Sequence, residues 1–266
     1  MVSSSRVYLV GAGPGDPELL TIKAQRLLSE AEVVVYDRLV SPEILDLVPP
    51  GKARIFVGKA PNHHHMPQDE INDLLVSLAR SHHSVLRLKG GDSFIFGRGG
   101  EEALYLARHG VPFEVVPGVT AASGISASLG VPLTHRELAT GVRFVTGKCR
   151  ADADLELDWA GLADPETTIV FYMGLANLPR IATELIAAGL SPDTPAAAVT
   201  KGTVPEQRQC IATLERLASV VAKLEFKAPV LIVIGRVLRL AEMLNWQGLS
   251  YEDAIVDRED ERPARA

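Results

Sequence analysis

The sequence predicts an α/β protein built as two lobes, and three observations carry that expectation. Short β-rich runs alternate with helical patterns through the first half, the rhythm of a mostly parallel sheet covered by helices on both faces. After Pro117 the texture changes to a segment rich in Ala, Ser and Gly, and strands and helices then resume. The length of 266 residues exceeds what one hydrophobic core usually organises. The expected division is an N-terminal lobe over 1–117, a C-terminal lobe over 118–245 and a polar tail over 246–266.

In the first lobe, strands are expected at Arg6 to Val10, Glu32 to Tyr36, Arg54 to Val57, Ser84 to Leu88 and Phe113 to Val116. Helical stripes fall at Glu18 to Glu30, Pro67 to Arg80 and Gly100 to His109. Gly118 to Gly130 is too small-residued for an ordinary amphipathic stripe and reads as a closely packed helix joining the lobes. Beyond it, strands are expected at Val142 to Thr146, Thr167 to Met173, Ala196 to Thr200, Gln207 to Thr213 and Val230 to Gly235. Helices follow at Leu175 to Ala188 and Leu214 to Leu224. No internal repeat is visible.

Composition narrows the function classes. The chain is 47% hydrophobic and 23% charged, as ordinary globular proteins are. Its longest apolar runs, such as Pro229 to Ile234, fall far short of the ~20 residues a membrane helix needs. The opening residues lack the apolar core of a signal peptide. Cys149 and Cys210 suit a reducing compartment. The expectation is therefore a cytoplasmic enzyme without a membrane partner. A net charge of −6 argues against nucleic-acid binding while leaving room for a local basic cluster that holds a small anion. Taken singly, Arg38, Lys59, Lys89, Arg98, Arg136, Arg143 and Lys148 read as solvated surface charges.

The loop Gly11-Ala-Gly-Pro-Gly-Asp16 follows a strand and precedes a helix, and Asp37 ends the next strand. At first sight this is a dinucleotide-binding fingerprint. The third small position is instead Asp16, placed to cap the helix ahead of Pro17. A carboxylate there occupies the free N–H groups and repels a pyrophosphate, and Pro14 removes a further donor. Such a loop allows close approach without phosphate capture, and suits a ligand made of adenosine, a sulfonium and an amino acid.

Gly11-Ala-Gly-Pro-Gly-Asp-Pro17 resembles the opening loop of the tetrapyrrole methylases. Four more stretches narrow the resemblance to the members that methylate uroporphyrinogen III: Val35-Tyr-Asp-Arg-Leu-Val40, Leu88-Lys-Gly-Gly-Asp-Ser-Phe-Ile-Phe-Gly-Arg-Gly-Gly-Glu-Glu102, Val116-Pro-Gly-Val-Thr-Ala-Ala122 and Val131-Pro-Leu-Thr-His-Arg-Glu137. The likeness runs from about Val7 to Met243. Gly97 to Glu102 and Thr134 to Arg136 are its most specific parts. It implies two α/β lobes with the active site in the cleft between them, and a homodimer. By resemblance, Pro14, Gly90, Gly91, Asp92, Ile95, Thr120, Ala121, Met173 and Gly202 line the S-adenosyl-L-methionine pocket. The tetrapyrrole meets Asp37, Lys59, Arg98, Glu101, Arg136 and Lys148, where arginine forks grip its carboxylate arms.

Two residues depart from the family pattern. Ser93 stands where proline is common, and Lys148 where histidine is expected, which removes titration near neutrality from that position. The histidines at 63 to 65 suggest a metal, but three consecutive side chains diverge and no cysteine or acidic ligand follows at zinc spacing. No metal is expected.

The implied reaction is in-line methyl transfer to C2 and C7 of the reduced macrocycle, giving precorrin-2 through a mono-methylated intermediate. This feeds sirohaem, cobalamin or haem d1. Each transfer leaves a cation that must lose a proton. Arg98 is read as a charge anchor, since arginine rarely gives up its proton, and Asp37, Glu101 or a substrate carboxylate accepts it. Three alternatives compete. A later precorrin methylase would lack the pairing of Gly97 to Gly100 with Thr134 to Arg136. A dinucleotide oxidoreductase would need a small residue at 16. A binding module would not need a deep cleft.

Overall fold

The structure, a computed structural model, describes residues 5–58, 66–148 and 155–244. The chain divides into two compact units, Met1–Gly124 and Ile125–Ala266. Lys59, the histidines at 63 to 65, Cys149 and the tail lie outside the described residues.

The N-terminal unit holds a five-stranded sheet of β1 (Arg6–Gly11), β2 (Val33–Tyr36), β3 (Ala53–Phe56), β4 (Ser84–Lys89) and β5 (Phe113–Val116). Its order is β3-β2-β4-β1-β5 and every neighbouring pair is parallel, as expected. Side chains alternate between two apolar layers. Val10, Val34, Leu86 and Leu88 pack on α1 (Ile22–Glu30) and α2 (Pro42–Leu45). Val7, Leu9, Val33, Val35 and Val85 pack on α3 (Gln68–Ser81) and α4 (Gly99–Arg108). Each fully buried leucine in these layers contributes about 1.5–3 kcal/mol of transfer free energy.

The expected helix from Glu18 starts later. Asp16 caps only a short 3₁₀ turn, Pro17–Leu19, accepting from the Glu18 N–H at 2.8 Å. Thr21 then caps α1, accepting from the Ala24 N–H at 3.1 Å. Leu20 and Thr21 are extended between the two, a break that a single helical stripe does not reveal. The short α2 was not anticipated either.

The small-residue segment forms α5 (Ala121–Leu129), and the division between units falls within it. The C-terminal unit contains β6 (Gly141–Thr146), β7 (Thr167–Tyr172), β8 (Pro195–Thr200), β9 (Arg208–Thr213) and β10 (Val230–Ile234) in the order β6-β7-β10-β8-β9. Only β6 and β7 pair in parallel; β10 is antiparallel to β7 and β8, and β9 to β8. The parallel rhythm of the first half therefore does not extend to the second. Short α6 (Trp159–Leu162), α7 (Leu178–Ala187) and α8 (Leu214–Lys223) bury Leu162, Ile181, Leu185, Leu217 and Val221 against Ile169, Phe171, Ala198 and Ile232. Among the described residues, no helix is long and apolar enough to cross a membrane.

Ser93 is fully buried, and its hydroxyl has no hydrogen-bond partner among the described residues. Desolvating an unpaired hydroxyl costs stability that alanine at this position would recover. Ser93→Ala should raise the unfolding free energy by about 1 kcal/mol in a urea titration. A loss of stability would mean that the hydroxyl has a partner.

Candidate functional site

In the N-terminal sheet β4 lies between β2 and β1, so their carboxyl ends gather three turns: Gly11 to Asp16, Asp37 to Val40, and Gly90 to Asp92. Parallel α/β sheets bind ligands at this edge. Gly13 and Gly91 exchange both backbone hydrogen bonds, at 3.0 and 2.6 Å. A Cβ on Gly11 would lie 2.5 Å from the Gly118 nitrogen and 2.7 Å from the Gly91 carbonyl oxygen. Both obstacles are backbone, so only glycine allows these turns to lie one on another.

Asp92 ties this layer together. Its Oδ1 accepts from the Phe94 and Ile95 amides at 2.8 and 3.2 Å, and its Oδ2 from the Gly118 amide at 3.0 Å. A carboxylate has about four acceptor sites, so most of its capacity goes to the fold. Gly91 has φ +69, and a Cβ there would find only the Ala121 amide, at 3.8 Å, among nearby atoms. The backbone of Gly91 thus borders open space beside Thr120 and Ala121, with Pro14 and Ile95 half-buried in the adjoining turns. Asp16 sits on the Glu18 amide, at the turn where a dinucleotide loop would offer its N–H groups to a pyrophosphate, and the room edged by glycine backbone suits an adenosyl sulfonium better.

Arg98 occupies the cap position of α4 in the left-handed region, at φ 60. Gly97 and Gly99 flank it because a Cβ on either would meet the Ser93 carbonyl oxygen, at 2.6 and 2.5 Å. The exposed guanidinium forks onto Glu101, with Nε to Oε1 at 2.9 Å and Nη2 to Oε2 at 2.7 Å. That hydrogen-bonded partner holds the Glu101 carboxyl below its usual range and raises the Arg98 guanidinium. The pair therefore persists through neutral pH and is lost only as the pH falls through the lowered Glu101 value. Phe94 and Phe96 lie exposed on the same loop.

Asp37, 24% exposed, follows β2. Its Oδ1 accepts from the Leu39 amide at 3.0 Å and its Oδ2 from Arg87 Nη2 at 3.2 Å. Sequence reasoning missed the charges behind it. Lys89, read as a solvated cation, is 3% exposed, and Arg87 and Glu102 are buried with it. Burial above all, and then the Arg87 charge, lower the Lys89 pKa against the opposing pull of Glu102. One signal was available: Arg87 and Lys89 alternate with leucines on a central parallel strand, where both faces are covered.

In the C-terminal unit β6, β7 and β8 end at one edge. Ile232 of β10 faces Phe171 and Ala198 at once, and β10 is antiparallel to both their strands. Lys148, Met173 and Gly202 follow these strand ends and so share that edge. Lys148 is exposed, and its amide donates to Thr146 Oγ1 at 3.3 Å. Met173 is 47% exposed with φ 57, while Lys201 and Thr203 have φ 50 and 70 around Gly202. Left-handed backbone costs a non-glycine residue on the order of 1 kcal/mol, and such strain concentrates at functional sites.

Arg136 is not brought to that edge. It is exposed in a turn closed by the His135 and Ala139 backbones, ahead of β6, and the six residues of β6 span about 20 Å. Arg236, absent from the sequence reading, clamps this turn by donating to the Leu138 carbonyl from Nε at 3.2 Å and to the Glu137 carbonyl from Nη2 at 3.2 Å. No metal-binding cluster exists among the described residues.

Residues 6–218 match the family described as Tetrapyrrole (Corrin/Porphyrin) Methylases. A siroheme synthase of Pseudomonas aeruginosa is 53% identical over 253 residues, covering 95% of this chain and 54% of its own length. One from Nitrosospira multiformis is 56% identical over 240 residues, covering 90% and 51%. The chain thus spans about half the length of the curated relatives it matches. The solved uroporphyrin-III C-methyl transferase of Thermus thermophilus is 48% identical, with a TM-score of 0.76 over 88% of this chain and 99% of its own. The same figures hold for that protein complexed with S-adenyl homocysteine. With matched residues covering most of both units and the glycine-edged turns in place, the chain belongs to the tetrapyrrole methylase family.

Proposed function

We propose that the chain transfers methyl groups from S-adenosyl-L-methionine to uroporphyrinogen III, at C2 and then C7, giving precorrin-2. The observation that carries this reading is the likeness to the Thermus thermophilus enzyme along nearly its whole length. The siroheme synthase relatives favour sirohaem as the end product over cobalamin or haem d1. A cytoplasmic homodimer belongs to the same proposal. Anaerobic incubation with both substrates should yield tetrapyrrole products heavier by one and then two methyl groups, and unchanged tetrapyrrole would refute the reading.

Bound S-adenosyl-L-methionine supplies an electrophilic methyl group. Gly90, Gly91, Thr120 and Ala121 would take its adenosyl and amino-acid parts against backbone, with Pro14 and Ile95 beside them. Met173 and Gly202 keep the cofactor role that the family resemblance gives them. Asp92 acts by holding the turns in place. Orientation and exclusion of water are the chain's main service to an in-line displacement.

The anionic substrate arms are assigned to Arg98, Lys148, Arg136 and, outside the described residues, Lys59. Because Arg136 and Lys148 lie at opposite edges of one sheet, we assign them to different arms. Arg98 exchanges Glu101 for a substrate carboxylate. We assign proton acceptance to Asp37, whose carboxylate keeps its partners Leu39 and Arg87 while Arg98 changes partner.

Glu101→Gln separates these roles. If Glu101 only competes for Arg98, the variant should keep its maximal rate and bind substrate several-fold more tightly, by about 1 kcal/mol. A collapse of the rate would make Glu101 the proton acceptor. Arg98→Lys should lose most of the activity yet keep S-adenosylhomocysteine affinity in calorimetry, because an ammonium cannot reproduce the fork. Full activity in Arg98→Lys would remove the fork from the account.

Lys148 is proposed to hold a carboxylate arm and to take no part in proton transfer. Lys148→His should leave the maximal rate nearly unchanged and make substrate affinity fall as the pH rises through about 6.5. In Lys148→Met the substrate KM should rise more than kcat falls, across a pH series of steady-state kinetics. A large loss of kcat with unchanged KM would assign the residue to proton transfer.

A further inference from the structure

Behind Asp37 lies a chain of buried charges that the proposed mechanism does not otherwise use. Alternation along β4 puts Arg87 and Lys89 on the face of Val85, among apolar side chains of α3 and α4. Glu102 reaches that layer from α4, one turn before Leu106, and is fully buried. Its Oε1 accepts from Lys89 Nζ at 2.8 Å, Arg87 Nε at 3.2 Å and Gln68 Nε2 at 3.2 Å. Its Oε2, equally buried, has no hydrogen-bond partner among the described residues.

Such an arrangement is a poor way to gain stability. Desolvating buried ions costs several kcal/mol each, and apolar residues of the same volume often serve the fold as well. An orphaned carboxylate oxygen adds to that cost. What the arrangement does achieve is geometric. Each guanidinium nitrogen of Arg87 has its own partner: Nε on Glu102, Nη1 on the Leu88 carbonyl at 3.0 Å, and Nη2 on Asp37 at 3.2 Å. Three anchors in one plane leave the guanidinium no freedom to turn. Lys89 balances Glu102, so the Arg87 charge is left to face Asp37. Of the four groups, Asp37 is the one that reaches solvent, at the carboxyl edge of the sheet.

We propose that Arg87 is a positioning residue that fixes the Asp37 carboxylate for proton acceptance, with Glu102 and Lys89 locking the guanidinium from behind. This rests on the reading of Asp37 as the proton acceptor. Oδ1 is fixed by the Leu39 amide and Oδ2 by Arg87, so the carboxylate plane is set before substrate arrives. Arg87 touches no reacting atom in this arrangement and acts through Asp37 alone.

A double-mutant cycle tests this, because a residue that acts only through another loses its effect once the other is gone. The variants are Arg87→Lys, Asp37→Asn and both together, with kcat, KM and S-adenosylhomocysteine affinity measured on each. An ammonium has three donors but no rigid planar fork and cannot reach all three of the partners Arg87 holds, so Arg87→Lys should lower kcat about tenfold with KM and cofactor affinity unchanged. Asp37→Asn should lower kcat by about a hundredfold or more. The double variant should be no slower than Asp37→Asn. If the two losses multiply, Arg87 has only a general structural role and the proposal is overturned while Asp37 keeps its assignment. Unchanged kcat in Arg87→Lys also overturns it. Unchanged kcat in Asp37→Asn overturns the acceptor reading itself, and the positioning role with it. Should Arg87→Lys fail to fold, Glu102→Gln replaces it in the same cycle. Glutamine keeps the volume but removes the charge that holds Arg87 Nε, and the same absence of a further loss beside Asp37→Asn is expected.

Discussion

The N-terminal unit depends on a contact between backbones. The strand ends of β1, β4 and β5 come so close at Gly11, Gly91 and Gly118 that no side chain fits between them, and Asp92 binds the layer through three amides. This fixes where Gly91 borders open space. It also fixes where the loop through Arg98 begins, since Asp92 shapes the turn whose Ser93 carbonyl excludes a Cβ at 97 and 99. One carboxylate thus sets both the glycine-edged strand ends and the position of the guanidinium.

Charge in this unit is handled in two ways. Arg98 and Glu101 are exposed and paired with each other, an arrangement of small net value that another carboxylate can displace. Arg87, Lys89 and Glu102 are buried, and breaking that group leaves an uncompensated ion. The first arrangement is suited to exchange partners, the second to hold still. The C-terminal unit shows neither pattern at its candidate edge. It presents an exposed lysine, a half-exposed methionine on left-handed backbone and a buried glycine.

Much of this was legible in the sequence because the signals were local. The strands of the first lobe, the cap at Asp16, the special setting of Arg98 and the small-residue helix each follow from a few neighbouring residues. What escaped depends on contacts distant in the chain. Lys89 looked like any surface cation, because its partner is thirteen residues away on another element. The part Asp92 plays in the fold was hidden too, because its Gly118 amide comes from another strand end. Arg136 and Lys148 read alike as substrate cations, and the sequence does not reveal that strand β6 separates them or that Arg236, a hundred positions further on, holds the Arg136 turn. The antiparallel β10 was hidden for the same reason, since strand direction is decided by pairing and not by composition.

The central claim is that a glycine-edged layer, with Asp16 where a dinucleotide loop would have a small residue, takes an adenosyl amino acid. Titration calorimetry of the intact chain with S-adenosylhomocysteine and, separately, with NAD tests it most directly. The account predicts saturable binding of S-adenosylhomocysteine and no heat of binding with NAD. Binding of NAD with none of S-adenosylhomocysteine would contradict it.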